Sequence, residues 1–406
     1  MLTRMLILAA AMASAAAAQQ SPAPLVLRGA TVIDGTSATP VAGATVVVTN
    51  GKIERIATGN VPIPAGAQVL DLGGRYLLPG LIDGHVHLAS LDQARRALLS
   101  GVTTTRSAGG GFFADVGLRE LGRLGYADVP DVLAAGYHVR PDPAEGLFLD
   151  DPALGDLRTQ EVKGVEALRR VVRSMVKRGV NQIKVNATER AGTPQTDPRK
   201  QLYTEAELRV IVEEAAAAGL PVMAHAHGDE GARAAVAAGV RSIEHGTFLS
   251  DATLLLMVQR GTFLAPTMAV VSDLAQPGGD YDNAGLQIRG RFMLPRVRDM
   301  AARAHRAGVK VVAATDTGYG PESVVRMSHE MEEQVGIGMT PLQAIQAATV
   351  VAAEMLRVSD RTGRIAQGLD ADLIVVERNP LEDIRAMQDV LLVVNNGKVV
   401  LNRLTW

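Results

Sequence analysis

Five times along the chain a helical stretch runs into a glycine and then into a short apolar strand. The segments are RRALLSGVTTTRS, RSMVKRGVNQIKV, EEAAAAGLPVMAH, AAVAAGVRSIEH and RAHRAGVKVVAATD. Their glycines (Gly101, Gly179, Gly219, Gly239 and Gly308) are placed to end a helix in a left-handed residue and feed the next strand. Thr204 and Glu207 have capping-box spacing ahead of the helix that runs to Gly219. Strands alternating with helices predict parallel βαβ units, and so an α/β fold. A doubly wound sheet would favour a G-x-G-x-x-G turn after an early strand, and none is present. A barrel places polar, reactive residues at the C-terminal ends of many strands, and this sequence follows that pattern.

The two ends of the chain read differently. Residues 25–79 form short strands separated by turns, with a hairpin signal at Asn50-Gly51. The style returns in ADLIVVER and VLLVVNNGKVVLNR, with a second hairpin at Asn396-Gly397. The expected architecture is a (β/α)8 TIM-like barrel over residues 80–361, flanked by a small β-sandwich built from 25–79 and 362–406.

Composition narrows the function. The net charge of −2 lacks the basic excess of a nucleic-acid binder, and 3% aromatics argues against a base- or sugar-stacking groove. There is no cysteine, which excludes disulfides, a thiol nucleophile and a lipid-bearing cysteine. Arg4, the apolar run Leu6–Ala18 and the small residues Ala16 and Ala18 form a signal-peptide pattern. Cleavage is expected before Gln19, removing residues 1–18. The mature protein is then expected to be soluble, exported and periplasmic, with no membrane segment.

The chemistry gathers at strand ends. His85 and His87 stand at i and i+2 in LLPGLIDGHVHL, so one strand turns both imidazoles to the same side. In VNQIKVNA, Ile183 and Val185 face the helices by alternation, which turns Lys184 inward. An inward lysine is costly unless it is paired or chemically altered. His225 and His227 repeat the i, i+2 spacing in PVMAHAHG. His245 ends VRSIEHG, and Asp316 ends VKVVAATDTG. Five of the eight histidines fall on these ends. Of the other three, His138 follows the apolar run DVLAAGY and is a candidate substrate contact. His305 reads as a helix-surface residue, and His329 lies in a polar helical stretch. No G-x-S-x-G elbow supports a serine nucleophile.

With these motifs in order, the chain resembles the amidohydrolase superfamily, in the subgroup around imidazolonepropionase-like proteins and Xaa-Pro-dipeptidase-like carboxypeptidases. The resemblance covers nearly the whole mature chain. It is carried by LLPGLIDGHVHL, GVTTTR, QIKV, YTEAELRVIVEEA, VMAHAHG, AGVRSIEHGT, GTFLAPT, AATDTG, GMTPLQAIQAATVVAAEML and GRIAQGLDADLIVVERNPLEDI. It implies two divalent ions, with zinc the default and manganese an alternative. His85 and His87 would bind the first ion, and His225 and His245 the second. Lys184 would bridge them as N6-carboxylysine, and Asp316 would touch the first ion and act as the catalytic proton shuttle for a metal-bridging hydroxide. His227 fits a substrate contact, or the ligand role in place of His225. One departure is Ser107, where the family often has aspartate after GVTTTR; the resemblance implies that this position lies near the mouth and bears on substrate preference.

The implied reaction is hydrolysis of a C–N amide bond in a dipeptide or N-acyl amino acid. Hydrolysis of a cyclic amide, imidazolone or lactone is the alternative. A non-catalytic periplasmic binding protein is the least favoured reading, because no ligand is missing. The expected partner is a small molecule or short peptide, and the family's habit allows a homo-oligomer. Arg140 and Arg190 follow strands and could meet a substrate carboxylate, although a solvated surface cation is the default for each.

Overall fold

A computed structural model describes residues 23–126 and 128–404. The expected signal peptide, residues 1–18, lies outside the described residues. Strands β1 (Leu25–Val32), β2 (Val41–Thr49), β3 (Lys52–Thr58), β4 (Gln68–Asp71) and β5 (Tyr76–Pro79) come from the N-terminal part. Next come β6 (Leu81–Val86), β7 (Val102–Ser107), β8 (Asp131–Leu133), β9 (His138–Val139), β10 (Ile183–Asn186), β11 (Val222–Ala226), β12 (Ser242–His245) and β13 (Phe263–Ala265). The chain closes with β14 (Leu373–Val376), β15 (Val390–Asn395) and β16 (Lys398–Asn402). Among the described residues, no helix is long and apolar enough to cross a membrane.

The two ends of the chain share one mixed sheet of eight strands, in the order β16-β15-β14-β5-β1-β2-β3, with β4 beside β1. The sequence suggested a sandwich of separate sheets; here every terminal strand belongs to one sheet. The reason lies in β1. Its register against β2 shifts between Leu27 and Ala30, around Gly29 at φ 68°. Its first half pairs with β4 and its second with β5. One face buries Leu27, Val46, Ile53, Leu373, Val375 and Leu392 as a single apolar cluster, so both ends of the sequence contribute to one core. The two Asn-Gly turns close the β2–β3 and β15–β16 hairpins with positive φ at both residues, as a type I′ turn requires. The turns also touch: a Cβ on Gly397 would lie 2.6 Å from Gly51 Cα. Glycine is needed there for contact as well as for conformation.

The remaining strands form two parallel sheets, β6-β7-β8 and β13-β12-β11-β10-β9. Backbone hydrogen bonds of residues 310–317 link them along one side. Leu264 N donates to Lys310 O, and Val312 N to Leu264 O. Gly84 N donates to Ala313 O, and Asp316 N to His85 O. On the other side Asn181 N donates to Ala134 O, in the short gap between β8 and β9. The helices between strands bury a continuous apolar face that includes Leu98, Leu168, Ile183, Val185, Ile211 and Ile243. Lys184 therefore points away from the helices, as alternation predicted. All five repeat glycines adopt positive φ, between 73° and 100°. The Thr204–Glu207 capping box is also present.

One buried charge makes the terminal sheet sensitive to pH. Asp372, just before β14, accepts from Asn396 N and Thr362 Oγ1, both at 2.8 Å. Burial pushes its carboxyl up to about 7. A raised acid pKa means that the folded state keeps a proton the unfolded chain gives up. The stabilisation is complete below the unfolded value near 4 and is lost as pH rises through about 7. Asp372→Asn keeps both contacts without the ionisation. It should flatten the pH dependence of urea-unfolding stability between pH 5 and 8, and raise stability at pH 8 by a few kcal/mol. An unchanged slope would show that Asp372 carries no buried proton.

Candidate metal centre

The strand ends bring the candidate residues into two clusters of donor atoms. In one, ligand atoms of His85, His87 and Asp316 lie within 4.8 Å of one another; in the other, those of His225, His227 and His245 do. The clusters adjoin, with the His85 and His245 ring centroids 5.2 Å apart. His227 and His245 stack at 4.7 Å and 14°. One cavity is lined by members of both clusters together with Lys184 and His138.

Two of these side chains reach the cavity through unusual backbone. His245 has φ 73° and Asp316 has φ 55°. A left-handed conformation is uncommon for residues with a Cβ, and such strain concentrates at functional sites. Simple alternation along β12 would send His245 to the side opposite Glu244. The left-handed turn brings the ring back to the cavity.

Each imidazole is oriented by a hydrogen bond on one nitrogen, leaving the other for the cavity, as ligating histidines require. His85 Nδ1–H donates to Glu244 Oε2 at 2.7 Å, and His87 Nδ1–H to Gly109 O at 2.9 Å. His225 Nε2–H donates to Glu189 O at 3.1 Å. His227 Nδ1 pairs with Thr247 Oγ1 at 2.9 Å, and His245 Nδ1 with Thr267 Oγ1 at 2.8 Å. The His85 and His87 Nε2 atoms face Asp316 Oδ1 at 3.2 and 3.1 Å.

Burial sets the charge states. It is the main cause holding His225 and His245 well below the usual imidazole range, and His227 down to about 3; neighbouring positive groups add to it. These rings are neutral at pH 7, the form that binds a cation. Burial alone would raise Asp316, but His85 and His87 outweigh it and hold the carboxyl well below its ordinary value. Lys184 is 1% exposed, and burial brings its amine down to about 8. Among the described residues no carboxylate lies within 4 Å of that amine, so it is buried, facing inward as expected, and unpaired.

Beneath the cavity lies a charged floor that sequence reasoning did not single out. Glu244 is fully buried; Arg106 Nη2 donates to its two oxygens at 2.9 and 2.8 Å. Burial alone would raise Glu244, but Arg106 and His85 hold it at about 2. Arg106 Nη1 also donates to Ser242 Oγ at 2.8 Å. Asp83, two residues before His85, is buried and accepts from Thr315 Oγ1 at 2.6 Å and Tyr319 Oη at 2.9 Å. The available signal was complementary charge: Arg106 and Glu244 stand in otherwise uncharged strands.

The remaining candidates fall into place. His138 lines the cavity, its Nδ1 3.0 Å from Asn186 Oδ1. Ser107 is buried rather than lining the mouth. Its Oγ accepts from Gly109 N at 3.2 Å, and so steadies the carbonyl that orients His87. Arg140 and Arg190 are half-buried and line a cavity with His138, not the solvated surface positions taken as their default. His305 and His329 lie on the helices Ala284–Ala307 and Met327–Gly336, away from the clusters. Tyr281, from the loop before Ala284, lines the cavity and was not foreseen. The Asp316 charge and burial push its phenol up, so it stays a protonated donor at neutral pH.

Comparison with known proteins agrees with this geometry. The Amidohydrolase family profile matches residues 76–400, and the chain belongs to that family. It is 30% identical over 356 residues to an ochratoxinase of Aspergillus niger, an alignment covering 77% of this chain and 72% of the relative. A Xaa-Pro dipeptidase with methionine bound in its active site superposes with TM-score 0.83 and 27% identity, over 94% of this chain and all of that one. A prolidase complexed with N-methylphosphonate-L-proline does so with TM-score 0.83 and 29% identity, over 93% of this chain and all of that one. The family is usually metal-dependent, and its fold is a TIM barrel with α/β content.

The floor makes a direct prediction. Arg106→Leu leaves Glu244 buried without its guanidinium, so unfolding free energy should fall by roughly 3–5 kcal/mol. Denaturant titration of the purified variant measures this. A loss within about 0.5 kcal/mol would show that the pair does not support the site.

Proposed function

We propose that this protein hydrolyses a C–N amide bond adjoining a free carboxylate, in a dipeptide or an N-acyl amino acid. The observation that carries the reading is the meeting of two donor clusters and a buried, unpaired lysine around one cavity. Imidazole nitrogens, each ring oriented by a hydrogen bond on its other nitrogen, together with one carboxylate suit a pair of borderline divalent cations such as zinc. His85, His87 and Asp316 would hold one ion. His225 and His245 would hold the other, with His227 offering a further nitrogen in the same cluster. Lys184 is suited to carboxylation. Its lowered pKa leaves a share of free amine, whose nitrogen can add to CO₂ and lose a proton to give an anionic carbamate. That change turns an uncompensated buried cation into an oxygen ligand. Bound ions would supply positive charge to polarise the scissile carbonyl and acidify a water.

The chain's own residues supply the rest. Asp316 is ionised, and its Oδ1 faces the His85 and His87 Nε2 atoms, where it would share the ion with them. Oδ2 is left to accept a proton from the attacking water and return it to the leaving amine. Tyr281, His138 and His227 line the cavity as contacts for the substrate's polar atoms. The ligands named for two related structures, methionine and N-methylphosphonate-L-proline, each carry an amino-acid carboxylate. Arg140 and Arg190 offer the matching charge. We read the parallel strands as a closed (β/α)8 barrel beside a terminal β domain built from both ends of the chain, acting in the periplasm after loss of residues 1–18.

A panel of dipeptides and N-acyl amino acids, assayed with protein loaded with zinc or manganese, tests the substrate class. Turnover of open-chain substrates is expected. Activity confined to cyclic amides, imidazolones or lactones would overturn it. Lys184→Ala should lose activity by about a thousandfold or more, with partial recovery on adding short carboxylic acids that replace the carbamate. Full activity without additives would remove the bridging role. Asp316→Asn should keep turnover below about a hundredth of wild type; a near-normal kcat would rule out the proton shuttle.

A further inference from the structure

The cavity next to the histidine clusters carries more positive charge than one carboxylate balances. Arg140 and Arg190 both line it, and no acidic side chain does. Among the described residues neither guanidinium makes an ion pair or a side-chain hydrogen bond, whereas most other arginines of this chain hold a carboxylate or a carbonyl. Asp142, the acidic residue nearest Arg140 in sequence, is exposed and not within ion-pair distance. Burial is the main cost to Arg140's charge, and repulsion from Arg190 adds to it, against a smaller attraction from Asp142. A half-buried like-charge pair without a counter-ion is unfavourable unless a bound anion completes it.

The positions of the two arginines are not equivalent. Arg190 lines both this cavity and the one holding Lys184 and Asp316, while Arg140 lines only the outer one. His87 and His138 are also shared, so the two cavities adjoin across common walls. A substrate with its scissile bond at the clusters would place its α-carboxylate at Arg190 and a more distant group at Arg140. Building on the amide-hydrolase reading above, we propose that the preferred substrate has an acidic C-terminal residue. Its α-carboxylate meets Arg190 and its side-chain carboxylate meets Arg140. A guanidinium fits a carboxylate through two parallel hydrogen bonds, so discrimination against the neutral amide of equal size should be large.

The test compares kcat/KM for isosteric pairs, Ala-Glu against Ala-Gln and N-acetyl-Glu against N-acetyl-Gln, in wild type, Arg140→Gln and Arg190→Gln. Wild type should prefer the glutamates by at least about tenfold. Arg140→Gln should bring that ratio towards one, and Arg190→Gln should lower both members of a pair alike. The expected preference is also reduced by raising salt, since it rests on charge. Equal rates for Glu and Gln in wild type would overturn the inference while leaving the amide-hydrolase reading intact. Both arginines would then share a single α-carboxylate. No turnover of either member, with activity on other dipeptides or N-acyl amino acids, would also overturn the inference; no turnover of any dipeptide or N-acyl amino acid would instead count against the underlying reading.

Discussion

The centre rests on a single buried carboxylate. Glu244 is sealed from solvent, neutralised by Arg106 and bonded to His85 Nδ1–H. An uncompensated charge at that depth would cost several kcal/mol, so the guanidinium and the imidazole are both needed to keep it ionised. In return the carboxylate fixes the ring of His85 and turns Nε2 towards Asp316. Arg106 extends from β7 and Glu244 from β12, so the same pair links the two parallel sheets through their shared interior. The position of the first donor cluster therefore depends on one ion pair, which also reinforces the backbone links between the sheets.

Above that floor the arrangement separates orientation from reactivity. Each ring is held on one nitrogen by Glu244, Gly109, Glu189, Thr247 or Thr267. The opposite nitrogens converge on the cavity. The strain of two left-handed residues, His245 and Asp316, is borne where the strands end. Those residues lie on separate elements, and Asp316 N is itself bonded to His85 O. The backbone that creates the strain at Asp316 thus also ties it to β6, within the first cluster.

Much of this was legible in the sequence, because period-two alternation and glycine chemistry are local. The i, i+2 histidines, inward Lys184, the five helix-ending glycines and both Asn-Gly turns depend only on neighbours along the chain. What was hidden depends on partners far apart or on backbone that breaks the alternation. Arg106 and Glu244 are 138 residues apart and read singly as anomalies. His245 reaches the cavity only through its positive φ. Tyr281 comes from a loop with no periodic signal. Ser107 was expected near the mouth, because its distance from the cavity depends on how the following glycine turns. The single terminal sheet was missed because a shift in register at Gly29 lets one strand serve two neighbours on the same side.

The proposed reaction requires a pair of cations held by side chains from separate strands. Elemental analysis of protein purified without chelators and then equilibrated with zinc measures this directly. It should give two equivalents per chain, falling to one or fewer when His225 and His245 are both replaced by alanine. A wild-type protein that retains no metal under those conditions would contradict it.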